Sequence, residues 1–163
     1  MAAAGPTNIQ PSLLDRLIDH DPEQTIDPQR SRNQQLTALR NAERRDLEAL
    51  LNSHRCCIEL PEGLQELRRS VLDYGVEDFL SVFAGRAEFG ETFRKSLEET
   101  IKRFEPRFIT VSVKLREGDL RDRTLRFRID ALMYAEPAPE PVSFDSKLDP
   151  ASHAFEVTGR SDG

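Results

Sequence analysis

The sequence predicts an α+β fold: N-terminal helices, then a long amphipathic helix, then a small antiparallel sheet made of a hairpin and a short C-terminal strand. Three observations predict it. Phe89, Phe93, Leu97, Ile101 and Phe104 recur at spacings of four, four, four and three, one apolar face of a helix. Pro106 ends that repeat, because the residue before a proline is pushed out of the helical region. Period-two alternation then takes over in 107–116 and 124–136, on either side of Gly118-Asp119, which reads as a hairpin. A chain of 163 residues suits one compact domain and not two.

The elements follow in order. Residues 1–11 read as a disordered leader, with Gly5, Pro6 and Pro11 against a continuous helix and little beyond Ile9 to bury. Ser12 can cap a short helix over 13–20, with Leu13, Leu14, Leu17 and Ile18 on one face. Eight residues do not hold a helix alone in water, so this stripe must pack on its own domain or on another protein. Residues 21–30 are a polar linker with two prolines. The reading divides the chain into a flexible segment with a docking helix (1–30), a single α+β domain (31–158) and a disordered tail (159–163).

A second helix spans about 31–52, with Leu36, Leu39, Ala42, Leu47, Leu50 and Leu51 inward and Arg40, Glu43, Arg44 and Glu48 on the wet side. After a loop over 53–61, Pro61 opens a short helix with Leu64, Leu67, Val71 and Leu72, closed at Gly75. Phe79, Leu80, Val82 and Phe83 form a partly helical connector up to Gly85. In the helix over 88–104, Glu91–Lys95 and Glu98–Lys102 are well-oriented pairs at spacing four. Along 107–116 the inward face is Ile109, Val111, Val113 and Leu115. Along 124–136 it is Leu125, Phe127, Ile129, Ala131 and Met133. Residues 137–141 are a stiff proline connector, and 154–158 add a third strand.

Composition narrows the function. Apolar residues make up 37% and charged residues 32%, so the core is modest and a partner can finish part of the surface. The net charge of −6 argues against a general nucleic-acid binder. It sits wholly in the two ends: residues 1–30 and 137–163 each hold five acids against two bases. Arginines outnumber lysines 19 to 4, which suits bidentate carboxylate pairing at interfaces. No apolar run approaches the ~20 residues of a membrane span, and no secretory leader is visible at the start. Cys56 and Cys57 are adjacent and read as reduced thiols of a cytosolic protein.

Few residues carry chemistry. His54, Cys56 and Cys57 cluster, but a fourth ligand is missing at any usual spacing, so no metal and no cofactor is called for. No phosphate-cradling loop or nucleophile triad stands out. The polar face of the hairpin carries Lys114, Arg116, Arg126 and Arg128 without aromatic residues for base stacking, so an acidic protein surface is its better complement. At Glu105-Pro106-Arg107 the proline limits the orientation of an acceptor and a guanidinium fork at the mouth of the hairpin. The corner can meet a partner, or it can be a helix stop with solvated charges.

Six segments in order carry a family resemblance: 12–17 (SLLDRL), 46–52 (DLEALLN), 70–75 (SVLDYG), 103–107 (RFEPR), 125–129 (LRFRI) and 144–150 (FDSKLDP). Together they resemble TssE, the baseplate subunit of type VI secretion systems, which is similar to the lysozyme-like wedge protein of contractile phage tails. The Cys56-Cys57 pair departs from the pattern. The resemblance implies a structural, non-enzymatic protein in the cytoplasm of a Gram-negative bacterium, at the inner-membrane-docked baseplate. Its implied partners are the wedge proteins TssF and TssG, TssK indirectly, and the sheath proteins TssB and TssC, with neither nucleic acid nor membrane insertion. The residues expected to meet partners are Leu13, Leu14, Leu17, Ile18, Glu105, Pro106, Arg107, Arg126 and Arg128.

Two alternatives stand beside it: a glycan-cleaving enzyme, and a baseplate protein of a phage-like injection particle. A glycosidase needs two carboxylates flanking one sugar bond. The candidates are Glu105 with Asp130, or Glu98 with Glu99. The latter two point in different directions on a helix, and Arg103 and Arg107 are expected to keep Glu105 charged. No tryptophan is present to line a sugar cleft.

Overall fold

The structure is a computed structural model. It describes residues 9, 11–18, 22–23, 30–56, 61, 63–77, 89–116, 124–149 and 151–159. Helix α1 is Leu13–Leu17, α2 is Arg32–Leu51 and α3 is Phe89–Phe104. Strands β1 (Phe108–Arg116), β2 (Leu125–Met133), β3 (Glu140–Asp149) and β4 (Ala154–Gly159) form one antiparallel sheet in the order β1-β2-β3-β4. The α+β class is as predicted, and the sheet has one strand more. That strand, β3, pairs along its length with β2, with Ile129 opposite Phe144 and Ala131 opposite Val142. Strand β2 is therefore interior, and the edges are β1 and β4.

The helix ends obey local chemistry. Ser31 caps α2 through a capping box with Gln34, whose side chain returns to the Ser31 N–H at 2.8 Å. Ser12 caps α1 by accepting from the Asp15 N–H at 3.2 Å. The short helix expected after Pro61 is instead two 3₁₀ turns, Leu67–Arg69 and Val71–Asp73. Gly75 follows at φ +107°, where any Cβ would lie 2.2 Å from the Ser53 carbonyl oxygen. The partly helical connector expected at 79–83 lies outside the described residues.

The core lies between one face of the sheet and the helices. Phe93 of α3, Phe127 of β2 and Phe155 of β4 meet with centroids 5.6–6.5 Å apart and tie the helix to the sheet. Leu47, Leu50, Leu51, Leu97 and Ile101 are fully buried beside them. Ile9, in the stretch expected to be disordered, is buried in the same core, and its N–H donates to Gln35 Oε1.

Strand β1 departs from simple alternation. Its register slips between Phe108 and Thr110, so Phe108, Val111 and Val113 point inward while Ile109 is exposed; Leu115 keeps the inward phase and is only partly covered near the strand's end. A bulge shifts the side-chain phase by one residue, which put Ile109 on the wrong face in the sequence reading.

Candidate functional site

The Glu105-Pro106-Arg107 corner joins the end of α3 to β1. The Glu105 N–H continues the helix by donating to the Ile101 carbonyl at 2.8 Å. Proline then releases the chain, and Arg107 turns back over α2. The expectation that both charges stand outward on the surface does not hold. Glu105 is 6% exposed, and the Arg107 side chain is mostly covered, set among three carboxylates.

Two of those carboxylates come from α2 and the third from the corner itself. Arg107 Nη2 donates to Asp46 Oδ2 at 2.9 Å and to Glu105 Oε2 at 3.0 Å. Its Nε lies 2.8 Å from Glu43 Oε1. Glu43, expected on the wet side of α2, is 0% exposed. The ion contact to Arg107 does not align as a hydrogen bond, and neither Glu43 oxygen accepts one from a described residue. Asp46 also accepts from Arg45, and Arg45 Nη1 donates to Asp15 Oδ1 of α1 at 2.9 Å. A continuous ion chain thus runs from α1 through α2 to the α3–β1 corner, with four carboxylates for two guanidinium groups.

Crowding and burial set the protonation. Burial pushes Glu43 up to about 7; Arg107 opposes this, while Glu105, Asp46 and Asp15 add to it. Burial also raises Glu105 and outweighs the hydrogen bond from Arg107. The direction is opposite to the lowering expected from the flanking arginines. Arg103 is engaged elsewhere, donating to buried Asp73 at 2.6 Å.

The α1 stripe faces outward. Leu13 is 77% and Leu17 82% exposed, and Leu14 and Ile18 are exposed as well. The helix is held to the domain by its polar side, through Asp15, and not by its leucines. Ion chain and stripe therefore sit on opposite sides of one short helix.

Arg126 and Arg128 lie on the polar face of the sheet, away from the corner. Arg128 Nε donates to Asp145 Oδ1 at 3.1 Å, and Arg116 reaches the same oxygen at 3.1 Å. Arg116, Arg126 and Lys147 are direct cross-strand neighbours, a row of cations that ends at Glu156 on β4. Lys147 and Glu156 pair at 2.7 Å. Like charges placed opposite each other cost stability, and this row is the most cationic part of the sheet surface. Asp130 is tied to Lys114 and Ser143 on that face, and Glu105 is buried at the corner, so the two candidate acids serve separate networks.

The pairing of Glu98 with Lys102 is replaced. Glu98 accepts from Arg94 Nη1 and from the Val113 N–H, both at 2.8 Å. His54 forms a parallel bridge with Val76, and Cys56 is exposed. Cys57 lies outside the described residues. Among the described residues, no helix is long and apolar enough to cross a membrane.

The family of the baseplate wedge protein gp25 matches residues 37–138, from the second turn of α2 through β2 and the corner between them. The chain belongs to that family. No curated protein and no solved structure matches it. The matched span holds Glu43, Asp46, Glu105 and Arg107 together, while α1, β3 and β4 lie beyond it. The chain is thus a baseplate component of the contractile-tail kind, in a family of structural wedge proteins. The buried position of Glu43 escaped the sequence reading. A charge on the i+4 side of Leu39 was the available signal, and only the partner Arg107, 64 residues later, explains it.

Proposed function

We propose that this protein is the structural, non-catalytic wedge subunit of a type VI secretion baseplate. It joins the wedge proteins TssF and TssG, and through them TssK, to the sheath formed by TssB and TssC. The observation that carries this reading is the family match across α2, α3 and the first hairpin. The exposed leucine stripe of α1 supports a helix-in-groove contact with the wedge partners. The corner Glu105-Pro106-Arg107 acts by locking α2, α3 and β1 into the shape a partner meets, with Pro106 exposed at its surface. The cation row with Arg126, and Arg128 beside it, suits an acidic partner, and the sheet receives an extended strand of a sheath subunit.

The test is genetic. Deleting the gene should abolish sheath assembly in cells, with the wild-type copy restoring it. Assembly that proceeds without the gene would refute the reading. Purified protein should release no muropeptides from peptidoglycan; release lost in Glu105→Gln would instead favour the glycosidase. Incorporation into free phage-like particles would move the same baseplate role to an injection particle.

A further inference from the structure

The two edges of the sheet are closed by different devices. In an antiparallel ladder, alternate residues point both backbone groups away from the neighbouring strand. On the outer side of β4 these are Phe155 and Val157. The Phe155 N–H donates to Asn52 Oδ1 at 2.9 Å, and Asn52 Nδ2 donates to the Phe155 carbonyl at 2.8 Å. The Val157 N–H donates to Glu48 Oε1 at 3.5 Å, and Arg44 Nη1 donates to the Val157 carbonyl at 3.2 Å. Arg44 and Glu48 also pair with each other at 2.9 Å.

The match has a geometric cause. Four residues of helix advance about 6.0 Å, and two residues of strand about 6.7 Å. Positions 52 and 48 of α2 therefore stay in step with 155 and 157 of β4, and the Arg44 stem reaches Gly159. Helix α2 presents β4 with a substitute strand built of side chains. A newcomer at this edge would have to break four hydrogen bonds and displace an ion pair.

The β1 edge is guarded differently. Its outward residues are Val111, Val113 and Leu115, since the Val113 N–H turns away from β2 to reach Glu98. Glu98 is the one cap: among the described residues, nothing bonds the outward groups of Val111 or Leu115, or the Val113 carbonyl. Arg94 stays beside Glu98 at 2.8 Å, so the carboxylate keeps a cation if it lets go. The exposed rim of this strand carries Lys114 and Arg116, which pair with Asp130 and Asp145 on the polar face and keep much of their surface open to a second carboxylate.

We propose that β1 is the edge that accepts a partner strand, and that Glu98 is a removable stopper displaced when the strand docks. The occupant is an extended sheath-subunit segment with acidic side chains beside Lys114 and Arg116. Its carbonyl takes the Val113 N–H from Glu98, and Glu98 falls back on Arg94. This inference rests on the strand-addition reading above and adds which edge is used and what holds it closed.

The test is residue-resolved amide exchange by NMR on the full chain, alone and with the TssB–TssC pair. The Val111, Val113 and Leu115 amides should exchange at least tenfold more slowly in the complex, with Phe155 and Val157 unchanged. Glu98→Ala should bind the pair about fivefold more tightly, because the edge donor is no longer occupied. Glu98→Gln keeps an acceptor and should bind like the wild type. Protection at Phe155 and Val157 with β1 unchanged would overturn the edge assignment and leave strand addition standing. A complex with neither edge protected would overturn strand addition itself. Weaker binding by Glu98→Ala, folded by its amide spectrum, would overturn the stopper.

Discussion

Replacing Glu43 with glutamine changes one proton and almost no volume, at the most buried carboxylate of the ion chain. Burial raises Glu43 from the usual 4.5 to about 7. Between those values the folded protein binds more protons than the unfolded chain, so stability falls as pH rises through this window. At about 1.4 kcal/mol for each unit of pKa, the ionised side chain costs the fold about 3 kcal/mol once the pH is above 7. Glutamine never ionises. Glu43→Gln should therefore match the wild type near pH 4.5 and exceed it by about 3 kcal/mol near pH 8. Glu105, also raised, titrates in both proteins, and its repulsion of the Glu43 carboxylate is part of the difference the comparison reads. The assay is urea unfolding followed by circular dichroism at half-unit steps from pH 4.5 to 8. Parallel stability curves for variant and wild type would refute the claim that Glu43 is buried without adequate pairing. Arg107→Ala gives the opposite result. It strips the shared cation from Glu43, Asp46 and Glu105 and should cost about 3–5 kcal/mol near neutral pH.

Other outcomes follow from single features. The Ser146 hydroxyl is buried on the core side of β3 with no hydrogen-bond partner among the described residues, so Ser146→Ala should raise stability by about 1 kcal/mol in the same urea assay. Gly75→Ala should destabilise by about 3 kcal/mol or fail to fold, since its φ and the Ser53 carbonyl both exclude a Cβ; an unchanged melting temperature would contradict the turn geometry. Leu14→Asp with Leu17→Asp should leave thermal unfolding within about 0.5 kcal/mol of wild type, as expected for exposed positions. The same double variant should lose wedge-partner co-purification, and global unfolding would return the stripe to the core.

Much of the architecture was legible because its signals are local. The α3 repeat ends at Pro106, and the actual helix is Phe89–Phe104. Ser31 and Asn52 bound α2 as capping chemistry suggests. The strand alternation of β2 survives intact, with Phe127, Ile129, Ala131 and Met133 buried. What was missed depends on contacts far apart in sequence. Strand β3 was unseen because Ser146 occupies an inward position between Phe144 and Leu148, and Pro141 opens the strand. The bulge at Ile109 inverted part of β1, and no local pattern marks it. The site was half legible. The α1 leucines are exposed as a docking stripe requires, and the proline corner stands where it was expected. Its charges turn inward because α2 brings Glu43 and Asp46 to Arg107, a long-range event that no spacing encodes.

If this chain joins a baseplate wedge to a contractile sheath, as proposed, it should bridge the two in solution. Reconstitution tests it most directly: the purified chain, the TssF–TssG wedge pair and the TssB–TssC sheath pair, mixed and followed by analytical ultracentrifugation. The two pairs should sediment separately without this chain and as one larger assembly with it. Leu14→Asp with Leu17→Asp should leave sheath binding in place while releasing the wedge pair. Wedge and sheath pairs that associate equally well without the chain, or a chain that binds neither, would contradict the bridging role.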